Sequence, residues 1–177
     1  MKRIILLLIF IILISFPLWA QGPVDIKGWN NTSWGMTADN LRQLFGGQLT
    51  NIERQELDDG KIYRNQSLKN YNINGVNFDV SFEMGTVDDK LKRVRLICNP
   101  ALPSHFSQFE QLLIDKYGQS QSKDESQGIG RSYDKTASWL LPSTKIELKY
   151  SYARGFISIL NILYSDKVSL KESSDKL

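Results

Sequence analysis

Residues 71–84 read YNINGVNFDVSFEM, and their alternation constrains the fold more than any other stretch of the chain. Asn74 and Gly75 form the pair that type I′ hairpin turns prefer, because both turn residues need a positive φ angle. Beyond the turn, apolar residues alternate with polar ones, which is the period of a strand with one buried face. The sequence therefore predicts an antiparallel hairpin with one side in the core.

A further strand is predicted at LKRVRLICN (91–99), which also alternates. If this strand is antiparallel to the one before it, Arg93 and Arg95 lie near Asp79 and Glu83. Such cross-strand pairs of opposite charge stabilise a sheet by about 0.2–1 kcal/mol each. We therefore expect ion pairs on the polar side of these two strands.

Two later runs extend the same pattern. KIELKYSY (145–152) alternates again, with its apolar residues in phase. FISILNILY (156–164) is apolar at nearly every position, which is typical of a strand covered on both faces. The second run is therefore predicted to lie in the middle of a sheet.

Two short helices precede these groups of strands. In TSWGMTADNLRQLFGG (32–47), Thr37 is a good N-cap and the apolar residues that follow have helical spacing. In HFSQFEQLLIDKYG (105–118), an apolar stripe runs along one face, and Ser104 is the expected N-cap. Both runs end in a glycine, the residue that most readily stops a helix.

The order of elements predicts an α+β fold with two tandem α-β-β-β modules, an antiparallel sheet, and helices packed on one face. The modules would span residues 21–100 and 101–164. Residues 1–20 precede them as a separate segment, and residues 165–177 follow as a polar tail. The polar residues 119–130 are expected to form a mobile loop.

The first twenty residues have the pattern of a secretory signal peptide. Lys2 and Arg3 open it, an apolar run follows, and Ala20 is the expected cleavage site. The alternative is an uncleaved anchor, which would then be the chain's only contact with a membrane. The predicted location is periplasmic or extracellular.

The charge balance gives no reason to expect nucleic acid as a partner. The chain has 22 basic and 19 acidic residues, and two of the basic ones lie in the signal segment. A nearly neutral mature chain lacks the excess of positive charge that binding to nucleic acid or to an anionic membrane surface requires.

The single cysteine and single histidine restrict the possible chemistry. Cys98 cannot form an internal disulfide and is expected to be a buried, inert thiol. A Ser-His-Asp or Cys-His site would have to use His105, and zinc sites need more ligands of these types. We therefore predict no catalytic, cofactor-binding or metal-binding residue, and favour a non-enzymatic binding protein whose partner is a protein or an envelope component.

A ligand would meet the polar side of the strands, which we define as the candidate interaction face. Its residues are Asn77, Asp79, Ser81, Glu83, Arg93, Arg95, Glu147 and Lys149. Two other hypotheses stay open. A small hydrolase could use Asp79, Glu83 or Glu147, because the two carboxylates of such a site need not be close in sequence. Alternatively, the chain is a subunit of an envelope assembly that pairs through strand 156–164.

The stretch WGMTADNLRQLFG (34–46) resembles the opening of uncharacterised exported bacterial proteins, which have Trp-Gly-Met-Ser/Thr before a short helix. INGVNFDVSFEM (73–84) and HFSQFEQLLIDKYG (105–118) are similar to their later strand and helix. In element order alone, the chain looks like the β-lactamase-inhibitor protein, and each half looks like the small lipoprotein of the outer-membrane assembly machine. Both are binding proteins, so the resemblance implies binding. The chain departs from both, because Cys98 supplies neither the inhibitor's disulfides nor the lipoprotein's cysteine.

Overall fold

The computed structural model of the protein describes residues 25–128, 132–154 and 157–168. The signal segment and residues 169–177 of the expected tail lie outside the described residues. The elements in chain order are α1 (Ala38–Phe45), a 3-10 turn (Gly46–Gln48), β1 (Leu49–Leu57), β2 (Ile62–Ile73), β3 (Val76–Gly85), β4 (Leu91–Cys98), α2 (Pro103–Tyr117), β5 (Ser122–Gln127), β6 (Tyr133–Leu140), β7 (Thr144–Ala153) and β8 (Ile157–Asp166).

All eight strands belong to one antiparallel sheet in the order β1-β2-β3-β4-β8-β7-β6-β5. The predicted α+β fold with two tandem α-β-β-β modules is therefore wrong. Over the residues that the structure describes, the protein is nearly all-β, with two short helices and a single continuous sheet. The sheet is continuous because β4 pairs with β8 through six residue pairs, from Arg93 with Ser165 to Cys98 with Leu160.

The fold contains two strands that the sequence did not reveal, and both lie at the edges of the sheet. No strand was predicted over residues 49–70, which contain β1 and most of β2, and all of β5 falls in the stretch expected to be a mobile loop. Every residue of β5 is exposed, so it has no buried face to produce an alternating pattern. Polar, charged edge strands of this kind also hinder pairing with other chains. Residues 129–131 of the expected loop lie outside the described residues.

The hairpin predicted around Asn74 and Gly75 is confirmed. Asn74 and Gly75 have φ angles of 49° and 84°, as a type I′ turn requires. Ile73 and Val76 pair directly across the turn. The central position predicted for the last apolar run is also confirmed, because β8 lies between β4 and β7.

The two helix starts differ in how well the sequence predicted them. Thr37 caps α1 as expected, and it exchanges hydrogen bonds with Asn40 in a capping box. Ser104 does not cap α2, because that helix begins at Pro103, after Leu102. Proline suits the first turn, since its φ is already helical and its missing N–H needs no partner there. The side chain of His105 accepts the Leu102 N–H at 3.2 Å instead.

One face of the sheet is covered by the helices and by the segment that precedes α1. Phe78 of β3 meets Phe109 of α2 edge-to-face, with ring centroids 5.0 Å apart. Phe82 lies 5.2 Å from Phe45 of α1, centroid to centroid. The indole N–H of Trp139 donates at 2.8 Å to the carbonyl of Gly118, the residue that follows α2. We call this side the covered face, and the opposite side of the sheet the open face.

The segment before α1 forms hydrogen bonds with two distant parts of the sheet. Gly35 N–H donates to the carbonyl of Leu91 at 3.0 Å, and Leu91 N–H donates to the carbonyl of Met36 at 2.8 Å. The indole of Trp34 donates to the hydroxyl of Thr144 at 2.8 Å. The Trp-Gly-Met stretch therefore connects the start of β4 to the start of β7.

Candidate functional site

The eight residues of the candidate interaction face all lie on the open face. The register aligns Ser81 with Arg95, Arg95 with Leu163, and Leu163 with Glu147. Because side chains alternate along a strand, the other five residues point to the same side as these. The sheet thus brings them together across four strands, and their role in binding stays a prediction.

Only part of this face is accessible. Glu83 is 0% exposed, Ser81 7% and Arg93 9%, whereas Asn77 and Lys149 are exposed. The three buried residues lie towards the middle of the sheet, among the long side chains of neighbouring strands. A large, flat partner therefore cannot contact these three side chains directly.

The buried Glu83 and Arg93 are the centre of a compact ionic network. Glu83 accepts from Arg93 Nε at 2.5 Å and from Arg95 Nε at 2.6 Å, and Arg93 Nη1 donates to Asp58 at 2.5 Å. The expected pairing of Glu83 with the two arginines is therefore confirmed. Asp79 does not join it, because the register places Asp79 opposite Ile97.

A groove of about 720 Å³ follows β3 on the open face. One wall carries the ion pair between Lys69 and Asp79, whose charged atoms are 2.6 Å apart. Ile97 of β4 also lines the groove. The groove volume falls within the range of about 300–1,000 Å³ that is usual for small-molecule sites.

The groove exists because β1 and β2 are irregular beside it. The register shifts between Asn51 and Gln55 in β1, and between Arg64 and Gln66 and again between Leu68 and Tyr71 in β2. Bulges of this kind bend a strand and are common beside functional sites. Asn70, in the last irregular stretch, has a φ of 53° and lines the groove.

Two serine hydroxyls beside the groove have no hydrogen-bonding partner. Ser67 and Ser81 pair across β2 and β3, and they are 4% and 7% exposed. Within the described part of the chain, neither hydroxyl oxygen makes a hydrogen bond. An unsatisfied buried polar group costs about 1–3 kcal/mol of stability. Packing alone gives no reason for serine at these positions.

Arg64 is the groove's remaining cation. The register pairs it with Glu83, so it lies on the open face. Its Nε and Nη2 both donate to Gln55 Oε1, at 2.9 and 2.6 Å. No carboxylate of the described residues lies within salt-bridge distance of it. Arg64 therefore contributes an unbalanced positive charge.

The cysteine and the histidine meet at one end of the groove but do not form an activated pair. Cys98 Sγ is 3.9 Å from His105 Nδ1, and that nitrogen already accepts the Leu102 N–H. Burial raises the pKa of the Cys98 thiol, which opposes formation of the nucleophilic thiolate. In the described residues, no three His, Cys, Asp or Glu side chains converge in a way that would hold a metal ion.

The carboxylates of the hydrolase hypothesis lie far apart. Asp79 and Glu83 are four residues apart on one extended strand, which is about 13 Å, and Glu147 lies three strands from β3, about 14 Å away. Paired glycosidase carboxylates are separated by about 5–9.5 Å. Only Asp79 lines the groove. These three residues therefore offer no catalytic pair.

The hypothesis of subunit pairing through strand 156–164 also loses its structural basis. Within its described residues, this strand corresponds to β8, which is hydrogen-bonded to β4 on one side and to β7 on the other. It has no free edge to offer. The outer edges of the sheet belong to β1 and β5.

Sequence reasoning missed Arg64, Ser67 and Gln55, which complete the groove. The reason is the irregularity of β1 and β2, because a bulge interrupts the alternation from which the direction of a side chain is read. The one available signal was the polar run RNQS (64–67) inside a stretch of strand-forming residues.

Comparison of the chain with protein-family models, curated proteins and solved structures found no match. Within residues 25–128, 132–154 and 157–168, the structure has no helix that is both long and apolar enough to cross a membrane.

Proposed function

We propose that the protein is an exported, non-enzymatic binding protein of the bacterial envelope that holds its ligand on the open face. The observation that supports this most is the groove along β3, where two buried hydroxyls find no partner among the described residues. Buried polar groups in proteins are nearly always hydrogen-bonded, so an exception needs an explanation. A bound ligand supplies the missing partners.

The distribution of apolar residues supports the same proposal. The helices and the large apolar side chains of β3 pack on the covered face, and neither Ser67 nor Ser81 belongs to this core. Alanine at positions 67 and 81 would avoid the unsatisfied hydroxyls without changing that core. Retaining serine lowers stability, as is common where a protein has to bind something.

The sequence supports the proposed location and class of partner. The signal-like first twenty residues support export, and the nearly balanced charges argue against nucleic acid. The proposed partner is a protein or another component of the envelope. A mass measurement on the purified protein tests export, because cleavage after Ala20 gives a chain that begins at Gln21, whereas a full-length chain means that the segment is retained.

Site-specific photo-crosslinking in the producing bacterium tests the binding surface. Probes at Asn77 and Lys149 are suitable because both side chains are exposed on the open face. Gln111, exposed on α2, is the matched control for the other side of the molecule. We expect both open-face probes to capture the same component and the control to capture none. Equal capture at all three positions, or capture from Gln111 alone, would contradict the proposal.

A further inference from the structure

We infer that the groove holds an anionic oxygen group, a carboxylate or a phosphate, between the guanidinium of Arg64 and the hydroxyls of Ser67 and Ser81. This inference rests on the proposed binding function and specifies the chemistry of its ligand. It depends on three observations: an unbalanced charge, two unpartnered hydrogen-bond donors, and a bulge that brings them to one place.

The first observation is the charge balance in the middle of the open face. The register aligns Arg64, Glu83 and Arg93 in one row across three strands. The network around Glu83 contains two arginines and two carboxylates, which balance each other. Adding Arg64 leaves an excess of one positive charge. A ligand with one negative charge restores the balance, whereas a neutral sugar or amide does not.

The second observation is the supply of donors. Ser67 and Ser81 are direct cross-strand neighbours, so their Cβ atoms are about 4.5–5.5 Å apart. Both residues line the groove, so rotation of their side chains towards it would let one acceptor oxygen lie about 2.7 Å from each hydroxyl. Carboxylate and phosphate oxygens accept hydrogen bonds and do not donate them when ionised, and this matches a site of hydroxyl and guanidinium donors.

The third observation is the position of the bulge between Arg64 and Gln66. In a regular strand, residues three positions apart point to opposite faces. The extra residue places Arg64 and Ser67 on the same face, and both line the groove. The guanidinium and the two hydroxyls are thereby held on rigid strands. The Lys69–Asp79 ion pair lies further along the groove, where it would contact the neutral part of the ligand.

The test uses pairs of small probes that differ in one charged group, added to the purified protein. N-acetyl-alanyl-alanine is compared with its C-terminal amide, and glucose 6-phosphate is compared with glucose, at equal ionic strength. Amide chemical shifts in two-dimensional NMR spectra report where each probe binds. We expect a saturable shift of the β2 and β3 amides with at least one anionic probe, and none with its neutral counterpart.

Matched variants test the named residues. Arg64→Gln and Ser67→Ala are each expected to weaken binding by about tenfold, since each removes a hydrogen bond to a charged group. Arg42→Gln is the control, because Arg42 is an exposed arginine on α1 whose ion pair, among the described residues, is with Asp39. It should leave the affinity unchanged. Unperturbed spectra of the ligand-free variants away from the substitution establish that they fold.

The outcomes separate this inference from the proposed function. A carboxylate-only response identifies a peptide or acidic sugar as the ligand class, and a phosphate-only response identifies a phosphorylated one. No saturable shift with either anionic probe up to about 10 mM, or an equal affinity for Arg64→Gln, overturns the inference. The proposed function then stands or falls on the crosslinking alone.

Discussion

The change Ser81→Ala should make the ligand-free protein more stable, which is the opposite of what most substitutions do. The hydroxyl of Ser81 is buried and has no partner in the described residues, so its removal ends a desolvation penalty. The penalty for such a group is about 1–3 kcal/mol, and alanine keeps the Cβ that packs against β4. We therefore expect a gain of about 1–2 kcal/mol in the free energy of unfolding.

Urea unfolding followed by circular dichroism measures this gain, and a thermal midpoint higher by about 2–4 °C for each kcal/mol should accompany it. Ser138→Ala is the matched control. That serine also lies on the open face, but its hydroxyl is 2.6 Å from the hydroxyl of Ser122. The control should lose about 0.5–1 kcal/mol. If Ser81→Ala instead destabilises the protein as much as Ser138→Ala does, then the Ser81 hydroxyl has a partner in the free protein, and the argument for an unsatisfied groove fails.

Three further substitutions test the ionic network, the first helix and the N-terminal contacts. Glu83→Gln should lower the free energy of unfolding by about 3 kcal/mol, because it leaves two arginines without their buried counter-charge. A loss below about 1 kcal/mol would show that the network is dispensable. Thr37→Ala should cost about 0.5–2 kcal/mol through loss of the N-cap, measured in the same urea assay, and an unchanged midpoint would refute the role of the cap. Hydrogen bonds from Ser143 lower the pKa of Asp25 in the folded protein. The ionised carboxylate therefore stabilises the fold above its unfolded pKa, which is near 3.9. This stabilisation is lost as the pH falls through the lower pKa of the folded protein. Asp25→Asn should accordingly be less stable than the native protein at pH 7, and the difference should shrink as the pH falls below the unfolded pKa. A difference independent of pH would contradict the assignment.

The sequence predicted best those elements that have one buried side. The pattern in residues 71–84 identified the turn, β3 and the last three residues of β2, and Thr37 identified the start of α1. In each case a local requirement, a positive φ angle or an uncapped N–H, selects a small set of residue types. The apolar run of β8 likewise predicted its central position, because only a covered strand tolerates apolar side chains on both faces.

The overall fold class was mispredicted because edge strands resemble loops in sequence. In β5, water reaches both sides of SKDESQ, so nothing selects an alternating pattern. Without β1 and β5, the remaining strands looked like two small sheets, each with its own helix. The pairing of β4 with β8 that unites them is a long-range contact, and the sequence of either strand alone does not specify its partner.

For a related reason, the sequence predicted the groove residues on β3 but not those on β2. Asp79 and Ser81 lie on a regular strand, and their direction could be read from the alternation. Arg64 and Ser67 lie on either side of a bulge, where one extra residue changes the face to which a side chain points. The decisive feature of the groove is therefore a property of the backbone that the residue types do not reveal.

The β4–β8 pairing also determines when the protein can finish folding. Arg93 and Ser165 face each other at the centre of the sheet, yet α2 and three strands separate them along the chain. Pairings between residues so distant in sequence form slowly, because a long loop must close before any contact compensates for the lost entropy. The first four strands therefore gain their β8 partner only after Ile157–Asp166 has been synthesised. Such a delay would suit the export that we propose, because an exported chain would then cross the membrane before its sheet closes.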